Sequence, residues 1–156
     1  MTRLGIVAFI LAGVATAAGV VTAAHSAPPC YHANEIEADQ AVRFQAKLMV
    51  LSDSCRSNSY NQFIHRNAEA LSLYQQQLIG FFRRHDAHHP EDAFDQFLTR
   101  IANQIALAAG EEPLASLCPK AADLFTQAVS FDKDDFRRYV AAQAAVERKS
   151  YPTCTE

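Results

Sequence analysis

The chain has 156 residues, 49% hydrophobic and 20% charged, with four Cys, no Trp and a formal net charge of −3. That composition belongs to a globular protein rather than a disordered one, and the length suits a single domain with a buried core. A balance so close to neutral excludes the strongly basic surface that nucleic acid or an anionic membrane selects.

Arg3 is the only Lys or Arg before Arg43, and the first acid is Glu35. From Leu4 to Ala24 every side chain is apolar or small. A positive start, an apolar middle and small residues after it read as a secretory signal peptide over 1–26, cut somewhere between 23 and 27. Residues 27–156 are then one all-helical domain. An uncleaved anchor is the alternative, because about 20 apolar residues span a bilayer. So much of the stretch is Ala and Gly that it makes a weak span. The expected location is periplasmic or secreted, with membrane contact only in transit. Without 1–26 the formal charge falls to −4, since Arg3 is the one charged residue lost.

All four cysteines, Cys30, Cys55, Cys118 and Cys154, lie beyond that segment. An even number behind an export signal implies disulfides rather than thiol redox chemistry or zinc. No CxxC or CxxCH is present. Four cysteines allow three pairings, and spacing does not choose among them. The favoured arrangement couples Cys55 to Cys118 and leaves Cys30 and Cys154 to tie the two ends of the domain.

Only Gly80 and Gly110 remain after the leader, and β-branched residues are sparse beside Ala, Leu, Gln and Phe, so helices are expected throughout. Asn34 followed by Glu37 reads as a cap with its N3 acid, opening a helix with Ile36, Phe44, Leu48, Leu51 and Cys55 along one side. Residues 55–59 form a turn. A long second helix carries Tyr60, Phe63, Ile64, Asn67, Leu71, Tyr74, Leu78, Phe81 and Phe82 at spacings of three and four, runs through Gly80, and finishes near His85. Pro90 suits the first position of a third helix, with Glu91 and Asp92 at its positive end and Phe94, Phe97, Leu98, Ile101 and Ile105 as its buried stripe. Gly110 stops it.

The segment between Gly110 and Pro119 reads equally as a turn of helix or a loop. Pro119 is expected to begin a short fourth helix with Leu124, Phe125 and Ala128. Asp132 and Asp135 repeat the capping pattern for a fifth, which carries Phe136, Tyr139, Val140, Gln143 and Val146 and ends at Tyr151-Pro152. The expected fold is a compact all-α array of about five helices with two disulfides. Most of the nine Phe beyond the leader belong in its core.

One dense cluster of potential ligands stands out: Arg83-Arg84-His85-Asp86-Ala87-His88-His89. Three imidazoles at His85, His88 and His89 could hold zinc, copper or nickel, and Asp86 could complete the set. Pro90 pushes His89 out of the helical region, which places the group on a turn. The competing reading is electrostatic, with Arg83, Arg84 and His85 at a negative helix end and Glu91 and Asp92 at a positive one.

Catalytic signatures are missing. The sequence has no GxSxG, no HExxH and no Gly-rich phosphate loop, and FDKDDF at 131–136 lacks the length and glycine of a calcium loop. Glu111-Glu112 and Asp134-Asp135 sit beside helix starts, where capping explains them. Tyr60, Asn61, Asn67, Thr99, Arg100 and Asn103 are read as caps or helix cross-links rather than ligand contacts.

The pattern C-x4-Y-N-x-F (Cys55, Tyr60, Asn61, Phe63), FFRRH at 81–85, FLTRIAN at 97–103 and LC at 117–118 resembles a poorly characterised group of small exported proteobacterial proteins. The likeness spans roughly residues 36 to 120. It implies an exported helical protein and supports coupling Cys55 to Cys118, and it carries no activity. The expected function is a non-enzymatic binding or interaction protein of the envelope, with no cofactor and no nucleic acid. Its target would be another protein, the envelope or a small apolar ligand. Metal handling through His85, His88 and His89 is one alternative, and an enzyme with an unassigned site is another.

Overall fold

From Ala33 onward helix follows helix because the apolar residues recur at three and four with only Gly80 and Gly110 between them. The computed structural model describes residues 29–85 and 88–155. It contains α1 (Ala33–Ser54), α2 (Ser59–His85), α3 (Pro90–Gly110), α4 (Leu114–Ser130) and α5 (Lys133–Glu147), then a 3-10 turn over Arg148–Ser150. Among the described residues the only extended pairing is an isolated parallel bridge between Tyr31 and Thr153. None of the described helices is long and apolar enough to cross a membrane. The expected leader lies outside the described residues, as does Asp86.

α1 and α2 form the spine. The turn between them closes as a Schellman motif: the Ser57 N–H donates to the Ser52 carbonyl (2.8 Å) and the Arg56 N–H to that of Asp53 (3.2 Å). Arg56 takes the left-handed conformation (φ 53°) that glycine usually supplies here. The pair is antiparallel, since Ser52 Oγ accepts from the Tyr60 N–H at one end and Arg84 chelates Glu35 at the other. α3, α4 and α5 each pack on both spine helices and scarcely on one another.

The core is aromatic. Phe136 is completely enclosed, meeting Phe63 edge-on at 4.9 Å between ring centroids, Phe44 at 5.7 Å and Tyr74 at 6.0 Å. Edge-to-face and tilted pairs at these separations suit the ring quadrupoles. Of the nine Phe, 44, 63, 81, 94, 131 and 136 are buried, and 82, 97 and 125 pack partly buried against them. Asn67 is fully buried, and its amide donates to the carbonyls of Phe63 (3.1 Å) and Phe131 (3.4 Å). It therefore cross-links α2 to the α4–α5 junction, the role expected of it.

Three sequence expectations need correction. α1 starts before Asn34: His32 is the N-cap, and its N–H donates to the Glu35 carboxylate at 2.8 Å. Glu35 wins that role because Arg84 anchors it from α2. α4 begins at Leu114, with Pro119 inside it. The Pro113 carbonyl collects the N–H groups of Ser116 and Leu117 (2.9 and 3.0 Å), so the first turn is made before the proline. The bond that Pro119 cannot donate is missed by Ala115, which is exposed to water. Val146 is 72% exposed, because the buried stripe of α5 is Phe136, Val140 and Ala144, and Val146 lies on a different face. By contrast, Asp132 caps α5 as expected, its Oδ1 accepting from the N–H groups of Asp134 (2.9 Å) and Asp135 (2.8 Å).

Both expected disulfides are present, Cys30–Cys154 and Cys55–Cys118, with Cα atoms 4.9 and 5.6 Å apart. One sits at each end of α1.

Candidate functional site

α1 presents Gln40, Arg43, Lys47 and Leu51 at spacings of three, four and four, so they share one face. That face floors a string of recesses, because α3, α4 and α5 leave gaps between them. At its C-terminal end, Lys47 and Leu51 form the floor of a groove of about 480 Å³. Ile105, Ala108 and Ala109 of α3 make one wall, and Leu117, Lys120, Ala121 and Leu124 of α4 the other. The alanines keep the walls shallow, and only the two lysines are polar. Beside the α3–α4 turn, Leu107 and Leu114 are 73% and 58% exposed, so apolar surface continues onto the outside of this corner. The Cys55–Cys118 disulfide ties the first turns of α4 to the end of α1 and so sets the spacing of the groove.

The rim is cationic. Lys120 pairs with Glu112, whose carboxyl is drawn below its ordinary range first by that ammonium and then by Ser116. Lys47 is exposed and has no carboxylate partner among the described residues. It also lines an adjoining recess of about 170 Å³ with Gln40, Arg43, Phe44, Tyr139 and Gln143.

Polar groups converge at the opposite end of α1. Asp39 is wholly buried, and its Oδ2 accepts from Arg43 Nε (2.6 Å) and from the Tyr151 hydroxyl. Gln40 Nε2 donates to the same hydroxyl at 2.9 Å. Burial raises the Tyr151 phenol above its ordinary value, and the Asp39 acceptor raises it further. Glu35 is buried beneath a bidentate Arg84; burial alone would raise its carboxyl, but Arg84 and the His32 N–H hold it below the usual range. Tyr31 stacks on Phe81 (4.2 Å) and meets Tyr151 edge-on (5.0 Å). Tyr31 also exchanges backbone bonds with Pro152 (2.8 Å) and Cys154 (3.2 Å). Tyr31, Gln40 and Asp39 hold residues 151–154 against the start of α1, and Glu35 fastens α1 to α2 through Arg84. Structural ties therefore account for the buried acids, although Asp39 Oδ1 is buried with no partner among the described residues.

Of the histidines, His85 is exposed at the end of α2 with Nε2 3.3 Å from the Cys30 carbonyl oxygen. His88 is exposed in the α2–α3 turn, and His89 is the residue before α3. Among the described residues no three His, Cys, Asp or Glu groups come together as a set able to hold a metal. The acidic pairs Glu111-Glu112 and Asp134-Asp135 lie beside helix starts, and Thr99, Arg100 and Asn103 are exposed on α3.

The groove was missed in the sequence because its residues read as ordinary core. Leu51, Ile105 and Leu124 fit the buried stripes, and nothing local says that α3 and α4 stand apart. A usable signal was the apolar pair Leu107 and Leu114 flanking a turn that should be polar. The clamp had a signal too: Glu35 and Asp39, one turn apart among buried apolar positions. Comparison with protein-family models, curated proteins and solved structures finds no match.

Proposed function

We propose that this is an exported, disulfide-stapled helical protein that binds a small apolar or amphipathic ligand in the α1–α3–α4 groove. The observation that carries the reading is a groove of about 480 Å³ walled by Leu, Ile and Ala and rimmed by two lysines. Small-molecule sites typically occupy roughly 300–1,000 Å³ and are mostly apolar with a few polar groups. Leu117 to Leu124 covers two helical turns, about 10 Å, which suits a short chain or ring better than a partner helix of many turns. Each methylene moved from water into such a groove contributes about 0.8 kcal/mol. Two disulfides and the N-terminal leader pattern support export to an oxidising space.

Titration with an uncharged naphthylamine fluorophore tests the reading. The oxidised protein is expected to enhance its emission at one saturable site. Ala108→Trp fills the groove from an exposed wall position and is expected to abolish the enhancement while leaving the melting temperature unchanged. No enhancement, or enhancement that survives Ala108→Trp, sinks the reading.

A further inference from the structure

We infer that the ligand is a single-chain acyl carboxylate, its chain in the groove and its carboxylate held at the α1 rim by Lys47 and Arg43. The inference rests on the groove being a binding site, and it adds the chemistry of the head group. Lys47 is the one residue common to the apolar groove and the adjoining 170 Å³ recess, so it marks the point where an apolar channel meets a polar one. Arg43 lies one turn away on the same face and lines that recess. Arg43 is ion-paired with Asp39 through Nε and its guanidinium lies 5.8 Å from the Phe97 ring centroid, so of its five N–H donors the terminal ones are left to meet a second carboxylate. Tyr139 and Gln143 of α5 complete the recess with two further polar side chains.

Charge complementarity selects the occupant. The chain as a whole is acidic at −3, yet the junction of the two recesses presents a lysine with no carboxylate partner among the described residues. The polar side chains of the groove, Lys47 and Lys120, are cationic donors only, so they favour an anionic acceptor over a neutral head group. A carboxylate at the end of an apolar chain meets both halves: alkyl carbons against Leu51, Leu117 and Leu124, and oxygen atoms toward the ammonium and guanidinium.

Calorimetric titration of the oxidised full domain with dodecanoate and with dodecanol, both below their aggregation concentrations, tests this. Dodecanoate is expected to bind about fivefold tighter at low salt, an advantage that shrinks as salt screens the rim. Lys47→Gln is expected to remove about fivefold from dodecanoate and nothing from dodecanol, while Lys149→Gln, which lines neither recess, changes neither. Equal binding of the two ligands, or dodecanoate binding indifferent to Lys47→Gln, overturns the head-group assignment while leaving the groove intact. Binding of neither ligand, or binding that persists in Ala108→Trp, overturns the groove reading itself.

Discussion

The two ends of α1 are built on opposite principles. At the N-terminal end, Glu35 is chelated by Arg84, Asp39 accepts from Arg43 and Tyr151 through Oδ2, and Tyr31 is stacked between rings. At the C-terminal end, Lys47 and Leu51 look into a groove whose walls scarcely touch. Each end has its disulfide. Where residues 151–154 are fastened to the start of α1, buried polar groups supply direction as well as energy, because an unmatched one is costly. At the proposed groove, apolar surface is left uncovered, and packing on α1 and α2 together with the Cys55–Cys118 disulfide holds the walls apart. A half-packed corner of this kind is what a binding site on a helical array requires.

Removing the disulfides probes that contrast most strongly. Cys30–Cys154 spans 124 residues and Cys55–Cys118 spans 63. In the chain-entropy model they contribute about 5 and about 4 kcal/mol respectively. Replacing Cys30 and Cys154 by Ser is therefore expected to lower the thermal midpoint most, yet leave fluorophore affinity nearly intact in the folded protein. Replacing Cys55 and Cys118 should cost slightly less stability but loosen the start of α4 and weaken binding. Chemical denaturation and dye titration of both variants check the pattern. Equal losses of affinity would undo the division of labour between the ends.

A smaller effect is expected from Asp39→Asn, which exchanges a charged acceptor shared by Arg43 and Tyr151 for a neutral amide. The loss should be about 2 kcal/mol by urea unfolding, with dye binding unaffected. A change in binding without a change in stability would show that the clamp serves the ligand rather than the chain's end.

The smallest effect is one of pH. The Glu35 carboxyl titrates below its ordinary value of 4.5 in the folded protein. Its stabilising contribution is therefore complete above about pH 4.5 and fades as the pH falls through the lower folded value. Tyr151 runs the other way: its phenol is raised above 10, so its contribution is complete below pH 10 and fades above it. Amide protection at Tyr31 and Cys154, taken relative to the intrinsic exchange rate at each pH, is expected to fall below pH 4.5 before that of α4. Glu35→Gln should flatten the acid limb. A uniform loss of protection at both ends would count against a clamp that titrates on its own.

Much of this molecule was legible in its sequence. Periodicity at three and four placed the helices, Asp132 announced its own cap, and the phenylalanines named the core, because these depend on spacing along one chain segment. The favoured cysteine pairing also holds. Boundaries were misread where a distant residue decided them: Arg84 selected Glu35 over Asn34 as the organising group at the start of α1, and Pro113 took the start of α4 from Pro119. The groove and the Asp39–Tyr151 contact, whose partners are 112 positions apart, were settled by tertiary structure alone. The physical reason is that hydrophobic periodicity tells a helix which face to bury but not whether a neighbour arrives to cover it. That is decided by how closely helices from separate parts of the chain can approach.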